Sequence, residues 1–518
     1  MSRAIVIGAG VAGLATAGLL ARDGHDVTVL ERGPRVGGRA GLIERDGFRF
    51  DTGPSWYLMP GVFDHFFDMM GTSTGEQLDL CALDPAYRVF SQPDGDGPAH
   101  AVSVPAGRDR VAALFESLEP GTAAKLEPYL SSAKQANDMA VSHFLYNPFT
   151  RLTALASSEV LRALPTLARL LLGRLERFAA RRFSHPVLRQ ILGYPAVFLG
   201  TDPRTAPAMY HLMSTLDLDE GVRYPQGGFW HLVEQIAALA ADAGAEIVAD
   251  ADVTEILTTR RGRRTRARGV RWTDGRGSSQ VLEADIVVSA ADLHHTETQL
   301  LPARLRTYPE AWWKRRTSGP GAVLVMLGIK GSLPELPHHS LFFTRDWNEN
   351  FDAIFGPGAR IPDPGSLYVC KPSASDASVA PAGHENLFVL VPVPADVEIG
   401  ASGSPDVEAA ADAAIALISH WAGIPGLADR VVVRETLGPE DFARDYRSWR
   451  GGMLGPAHIL SQSAMFRAQN ASKKVDGLFY AGGTVAPGVG VPMCLISAEI
   501  VLKRVRGDHS AGPLEAAA

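Results

Sequence analysis

The chain has 518 residues, 46% of them hydrophobic, with 50 Lys and Arg against 57 Asp and Glu for a formal net charge of −7. That length points to two or three domains, the aliphatic content excludes a disordered chain, and the acidic balance excludes a binder of nucleic-acid phosphates. Three scattered cysteines, Cys81, Cys370 and Cys494, show no C-x-x-C spacing; they exclude a disulfide framework or a Cys-based zinc site and fit a reducing compartment.

The first element is the uncharged run AIVIGAGVAGLATAGLLA, Ala4 to Ala21. Its length resembles that of a membrane span or a leader, but Gly8, Gly10, Gly13 and Gly18 interrupt it. A strand, a tight turn and a helix account for it, so a soluble chain with no cleaved leader is expected. The spacing Gly8-x-Gly10-x-x-Gly13 suits a dinucleotide. Gly8 permits the turn, Gly10 admits the pyrophosphate, and Gly13 lets helix and strand pack closely, with phosphates on the helix N-terminus. A second strand, DVTVLE, ends at Glu31, where a carboxylate can hold ribose hydroxyls. The following ERGPRVGGRAG offers a glycine-rich loop with Arg39, and GFRFDTGPSWY adds Asp51, Gly53 and Pro54. This favours FAD over a nicotinamide cofactor. Arg39 reads either as a cofactor neighbour or as a surface ion-pair partner.

The aromatic stretch PSWYLMPGVFDHFFDMM, Pro54 to Met70, reads as tunnel wall or as ordinary core, with Trp56 the residue placed nearest the cofactor loop. From Arg151 to Phe183, Leu161, Leu164, Leu171, Leu175 and Phe178 recur at helical spacing. Arg162, Arg169, Arg174, Arg177, Arg181 and Arg182 accompany them, against Glu159 and Glu176. A basic amphipathic helix fits an anionic membrane surface; the other reading is a helix packed on the core with its arginines in water. Asp217, Asp219 and Glu220 read as a solvated acidic loop or as proton acceptors.

In the middle, YPQGGFWHLVEQIAALAADAGAEIVADADVTEI predicts a Gly-Gly turn, a helix from about Trp230 to Ala243, and strands around Glu246–Val248 and Val253–Ile256. VLEADIVVSAADLHHT predicts a further buried strand. Val253 and Thr254 would lie at the sheet edge near an adenine, or Thr254 is an ordinary strand residue. His294-His295 reads as a loop feature rather than a metal site. Near the end, DGLFYAGG is a strand running into glycines, and VPMCLISAEIVLKRV is an amphipathic helix preceded by Gly488 and Gly490. Its N-terminus would offer unpaired N–H groups to a flat ring that becomes anionic on reduction.

These segments, together with RYPQGG, SLYVCKPSASDASVAPAGHENLFVLVPVP, PEDFARDYRSWRGGMLGPAHILSQSAMFR and YAGGTVAPGVGVP, give a chain that resembles the bacterial carotenoid desaturases of the phytoene desaturase type, within the flavin amine-oxidase-like fold. Where many such proteins carry Thr-His before the last Pro-Gly, this chain has Val485-Ala486, which leaves substrate and product open. The resemblance implies FAD contacts at Gly8, Gly10, Val11, Ala12, Gly13, Glu31, Arg32, Gly38, Arg39, Pro54, Ser55, Val253, Gly483, Gly490 and Val491. It also implies stepwise dehydrogenation of a hydrophobic C40 polyene, phytoene, toward lycopene, with no metal. Glu159 is the candidate proton acceptor by its L-R-x-x-P context, or a charge favoured at a helix N-terminus.

The expected fold is α/β. A discontinuous, doubly wound, Rossmann-like FAD domain comprises residues 1–71, 225–296 and 474–508. A mixed-sheet substrate domain comprises 72–115 and 297–473, a helical membrane-facing insertion 116–224, and a disordered tail 509–518. A cytoplasmic protein peripherally bound to the membrane follows, with oxygen or a quinone as electron acceptor. An amine or porphyrinogen oxidase, and a lipid-carrying protein like the GDP-dissociation inhibitors, are the other readings.

Overall fold

The computed structural model describes residues 2–95, 97–151 and 157–515. Three distant pieces of chain build one parallel sheet, in the order Leu478–Tyr480, Ile286–Ser289, Arg3–Ile7, Asp26–Leu30, Glu246–Val248. Alternation along the central strand sets the layers. Ala4 and Val6 pack toward the helices Val11–Arg22, Gly228–Asp242 and Val491–Arg506, and Ile5 and Ile7 pack the opposite way. That opposite face is covered by an antiparallel meander, Asp252–Arg261, Arg264–Thr273 and Ser279–Glu283. The expectation of a doubly wound sheet is corrected here, because strands and not helices cover the second face. One face of the meander is apolar: Ala267 and Val270 are buried together because the strand is bulged at Arg268 between them, while Arg264, Arg266 and Arg268 are exposed.

Register decides where a ligand can sit. Ile7 pairs with Leu30 and with Ser289, and Ser289 pairs with Tyr480. Gly8, Glu31, Ala290 and Ala481 therefore leave the sheet at one edge, the carboxyl end of its strands, where open α/β sheets bind ligands.

The second sheet is mixed and seven-stranded: Val431–Leu437, Gly321–Lys330, His384–Val393, Leu367–Cys370, His339–Phe343, Tyr87–Ser91, His100–Val104. One pair, His339–Phe343 with Tyr87–Ser91, is parallel and the rest are antiparallel. Val323, Val325, Leu387 and Val389 bury one face under the helix Pro405–Ala422. Leu324, Met326, Leu341 and Phe388 bury the other against the helices between residues 108 and 218.

Of the basic segment Arg151 to Phe183, residues 152–156 lie outside the described residues. The rest is two helices, Ser158–Leu172 and Leu175–Ala180, broken at Gly173, where an added Cβ would meet the Arg169 carbonyl oxygen at 2.8 Å. The break corrects the single amphipathic stripe. Leu161, Leu164 and Leu171 are exposed, while Leu175 and Phe178 are core. Of the tail 509–518, where disorder is expected, residues 516–518 lie outside the described residues, and the part up to Leu514 folds back on the last helix. The buried Lys503 ammonium donates to the carbonyl oxygens of Tyr146, Ser510 and Gly512, and Leu514 N–H donates to Glu499 Oε1 at 2.7 Å.

Candidate active site

The turn after the first strand has the geometry its glycines require. Gly8 takes φ of +94° and donates its N–H to Leu30 O at 2.8 Å. A Cβ on Gly13 would lie 1.9 Å from Gly8 O, so only glycine permits this crossing of helix and strand. At Gly10 the nearest protein atom to an added Cβ is 3.9 Å away; that side is open to a ligand. The helix Val11–Arg22 starts with no side-chain cap, which leaves its first N–H groups for an anion. Glu31 is held by the same turn: Oε2 accepts from Ala9 N–H at 2.7 Å and Oε1 from Gly33 N–H at 2.8 Å.

All the residues expected at the cofactor except Gly13 line one cavity of about 740 Å³. Gly13 stands behind it, in the packing role. Val253 reaches the wall, whereas Thr254 is exposed and its hydroxyl donates to Arg271 O, so the ordinary strand reading holds for it. Arg32 lines the wall with its guanidinium turned to the carbonyl oxygens of Arg444 (3.0 Å) and Asp445 (2.5 Å).

Two orphaned polar atoms on this wall point to a polar-edged ligand. Arg39 Nε and Asp292 Oδ2 are both buried without a hydrogen-bond partner, although Arg39 Nη2 lies 3.3 Å from Ser448 Oγ. Burial pushes the Asp292 carboxyl above its usual range, and the Arg39 guanidinium opposes that. The opposite wall is the late glycine loop. Gly482 and Gly490 take φ of +109° and +121°, and the uncapped helix Val491–Arg506 begins there. These groups fit a dinucleotide ending in a flat ring with polar edges: an anion-binding turn, a ribose carboxylate, bare backbone and unpaired N–H groups.

The loop is held by a residue that sequence spacing left without a role. The buried Arg467 donates from Nε to Val485 O (3.0 Å), from Nη1 to Pro456 O and Gln462 O (3.2 and 3.3 Å), and from Nη2 to Gly483 O (2.6 Å). His458 fills the space over Gly488, where a Cβ would meet its ring at 2.2 Å. Its Nδ1 lies 3.3 Å from the Tyr210 hydroxyl, itself 2.8 Å from Ser463 Oγ. Burial, reinforced by Arg467, holds this imidazole neutral.

Beyond the glycines the cavity becomes an apolar chamber lined by Tyr194, Phe198, Phe343, Tyr368 and Phe388, with Leu167, Leu171 and Met213 from the helical layer. Trp56 lines it and stacks on His339 with centroids 4.3 Å apart. Ser55 Oγ meets the Tyr368 hydroxyl at 2.7 Å. Most of the other aromatics of that stretch, such as Phe63 and Phe67, are core.

The proton-acceptor candidates fall differently from expectation. Glu159 does not line the cavity; it is exposed in the first turn of its helix, 3.1 Å from His143 Nε2, as a helix N-terminal charge would be. Asp217 is no solvated loop residue. It is buried behind Tyr194, accepting from the hydroxyls of Tyr194 (2.7 Å) and Tyr87 (3.1 Å), and burial raises it to about 7. Asp219 pairs with Arg108, and Glu220 is exposed. His294 bonds Glu310 at 2.8 Å, and His295, on the same short helix, lines the cavity.

The sequence pattern of flavin-containing amine oxidoreductases matches residues 11–505, and the chain belongs to that family, an FAD-dependent class. Among curated relatives, it is 40% identical to the carotenoid 3,4-desaturase of Haloarcula japonica over 95% of this chain and 96% of that protein. It is 34% identical to the zeta-carotene-forming phytoene desaturase of Myxococcus xanthus, covering 97% and 93%. Among solved structures, cyclohexylamine oxidase from Brevibacterium oxydans superposes with a TM-score of 0.58 at 14% identity, covering 98% and 99%. Rab GDI from Plasmodium falciparum does so with 0.52 at 13%, covering 99% of each chain. Both show a common fold.

Proposed function

We propose that this chain is an FAD-dependent carotenoid desaturase that removes hydrogen from adjacent carbons of a C40 polyene. The observation that carries the reading is one continuous cavity, which runs from the phosphate turn past the late glycine loop into a chamber walled by aromatic and aliphatic side chains. Such a chamber suits a hydrocarbon, which offers nothing to hydrogen-bond. The desaturase relatives support the same conclusion. An amine or porphyrin substrate would call for polar groups in the chamber, and there Asp217 is screened by two tyrosines.

Bound FAD supplies the hydride acceptor for this chemistry. The chain binds it through the Gly8–Gly13 turn and Glu31, and orients it with Arg39, Asp292 and the N-terminus of Val491–Arg506. The aromatic walls exclude water and align the polyene. Tyr210, Ser463 and His458 form a hydrogen-bonded polar group on the cavity wall, with His458 Nε2 accepting from Val489 N–H.

The chamber opens beside exposed apolar side chains. Leu161, Leu164 and Leu172 are 56%, 55% and 74% exposed, and Leu171, Met465 and Phe466 both line the cavity and reach its surface. Exposed Arg162 and Arg169 stand on the same helix. Among the described residues no helix is long and apolar enough to cross a membrane. We therefore propose peripheral docking on an anionic leaflet, at its cytoplasmic face, with this mouth turned to the lipid.

The test is product formation. Protein reconstituted with FAD and given phytoene in liposomes should yield longer conjugated chains, read by absorbance, with oxygen or a quinone reoxidising the flavin. The relative that is 40% identical supports a second reading, in which the substrate is already conjugated and the new bond is terminal. Phytoene left unchanged beside a lycopene-type carotenoid that is extended would select it. Flavin reduced by amines and by neither carotenoid would overturn both.

A further inference from the structure

The mixed sheet brings together three side chains that lie far from any sequence spacing rule for metals. His339 and Cys370 are direct partners across the antiparallel strands His339–Phe343 and Leu367–Cys370, and His338 precedes the first of these. One donor atom from each lies within 4.8 Å of the other two, and all three residues are buried.

The hydrogen bonding is lopsided. His338 Nδ1 meets Ser375 Oγ at 2.9 Å, and His339 Nδ1 meets the Tyr368 hydroxyl at 2.8 Å. Nε2 of each ring is buried with no partner. One unpaired buried imidazole nitrogen is unfavourable; two, on rings gathered with a buried thiol, offer a donor set. Rings fixed through one nitrogen by a hydroxyl, with the other nitrogen free, resemble the outer support of metal-binding histidines. Two imidazoles and one thiolate suit zinc.

We propose that His338, His339 and Cys370 bind one zinc ion with a positioning role. Tetrahedral ligands sit roughly 3.3–3.8 Å apart, so binding would draw the three donors together by about an ångström. Among the described residues no fourth His, Cys, Asp or Glu joins the set, which leaves one position for a small ligand. A thiolate and two neutral imidazoles would leave the zinc site with a net positive charge. The role follows from the stack of His339 on Trp56, which lines the chamber: the metal would fix the plane of that wall. This assignment is independent of the substrate.

The experiment uses the full chain, expressed with zinc and dialysed against a weak chelator, with metal measured by mass spectrometry and cobalt as a spectroscopic probe. One zinc per chain and a thiolate-to-cobalt absorption band are expected in the wild type. Both should fall at least tenfold in Cys370→Ser and in His338→Gln. A folded wild-type chain that takes up neither metal overturns the proposal, and so does a cobalt spectrum without the thiolate band. Equal zinc in wild type and in folded variants overturns it too. If the variants do not fold, the wild-type cobalt spectrum still decides.

Discussion

Arg39 Nη2 stands 3.8 Å from Asp292 Oδ2, a contact that ties the loop after the second strand to the end of the strand Ile286–Ser289. Asp292 is almost fully buried and Arg39 partly so, both line the cavity, and each has a buried polar atom without a partner. Arg39→Met should weaken flavin binding by about 2 kcal/mol, roughly 30-fold, in a fluorescence titration. Asp292→Asn keeps its acceptor for the His294 N–H and should lose less.

Gly10 and Gly13 should fail differently. A side chain at Gly13 meets a backbone oxygen at 1.9 Å, so Gly13→Val should not accumulate as folded protein. At Gly10 no protein atom stands in the way within 3.9 Å, so Gly10→Val should fold and lose flavin. Thermal melts of the apoproteins with flavin absorbance separate the two, and full occupancy in the Gly10 variant would refute the phosphate-turn assignment.

Arg467 should behave as a clamp on the late glycine loop. Arg467→Met strands four carbonyl oxygens and should lower stability by about 3 kcal/mol while releasing flavin. Arg467→Lys keeps the charge without the fork, and it should retain fold and lose part of the flavin affinity. Chemical denaturation and cofactor retention measured together test this.

Asp217 should make stability depend on pH. Burial raises its carboxyl from 3.8 to about 7, so the folded state holds the proton more tightly than the unfolded state. Stability from this group is therefore full below pH 4 and is lost as pH rises toward 7, by about 4 kcal/mol at most. Asp217→Asn has nothing to ionise. It should match the wild type near pH 4 and melt higher at pH 8; a difference that does not change with pH would contradict the buried carboxyl.

The exposed leucines offer a surface test. Leu161→Ser, Leu164→Ser and Leu172→Ser together should leave the melting temperature nearly unchanged and reduce partition onto anionic vesicles about tenfold or more. Arg162→Glu with Arg169→Glu should reduce it further at low salt. Unaltered sedimentation with vesicles would remove the docking proposal.

What the sequence disclosed was local. Gly8, Gly10, Gly13 and Glu31 announce their job by spacing, because a strand, a turn and a helix impose it within one short stretch. Arg467, Asp292 and Asp217 do not, since their meaning comes from burial by segments far away in the chain. Asp217 looked solvated because acidic neighbours surround it in sequence, and Tyr87 and Tyr194 arrive only in the fold. The stripe through Leu161 and Phe178 misled for a related reason. Helical periodicity continues across Gly173, although the backbone turns there.

The strand Leu478–Tyr480 stands at one end of the parallel sheet, paired with Ile286–Ser289 and bridged on its other side, at Phe479, by Ala471. The turn at Gly8–Gly13 and the loop at Gly482–Gly490 lie far apart in the chain, so both must have been made before flavin can be trapped, and variants truncated ahead of this strand should emerge colourless.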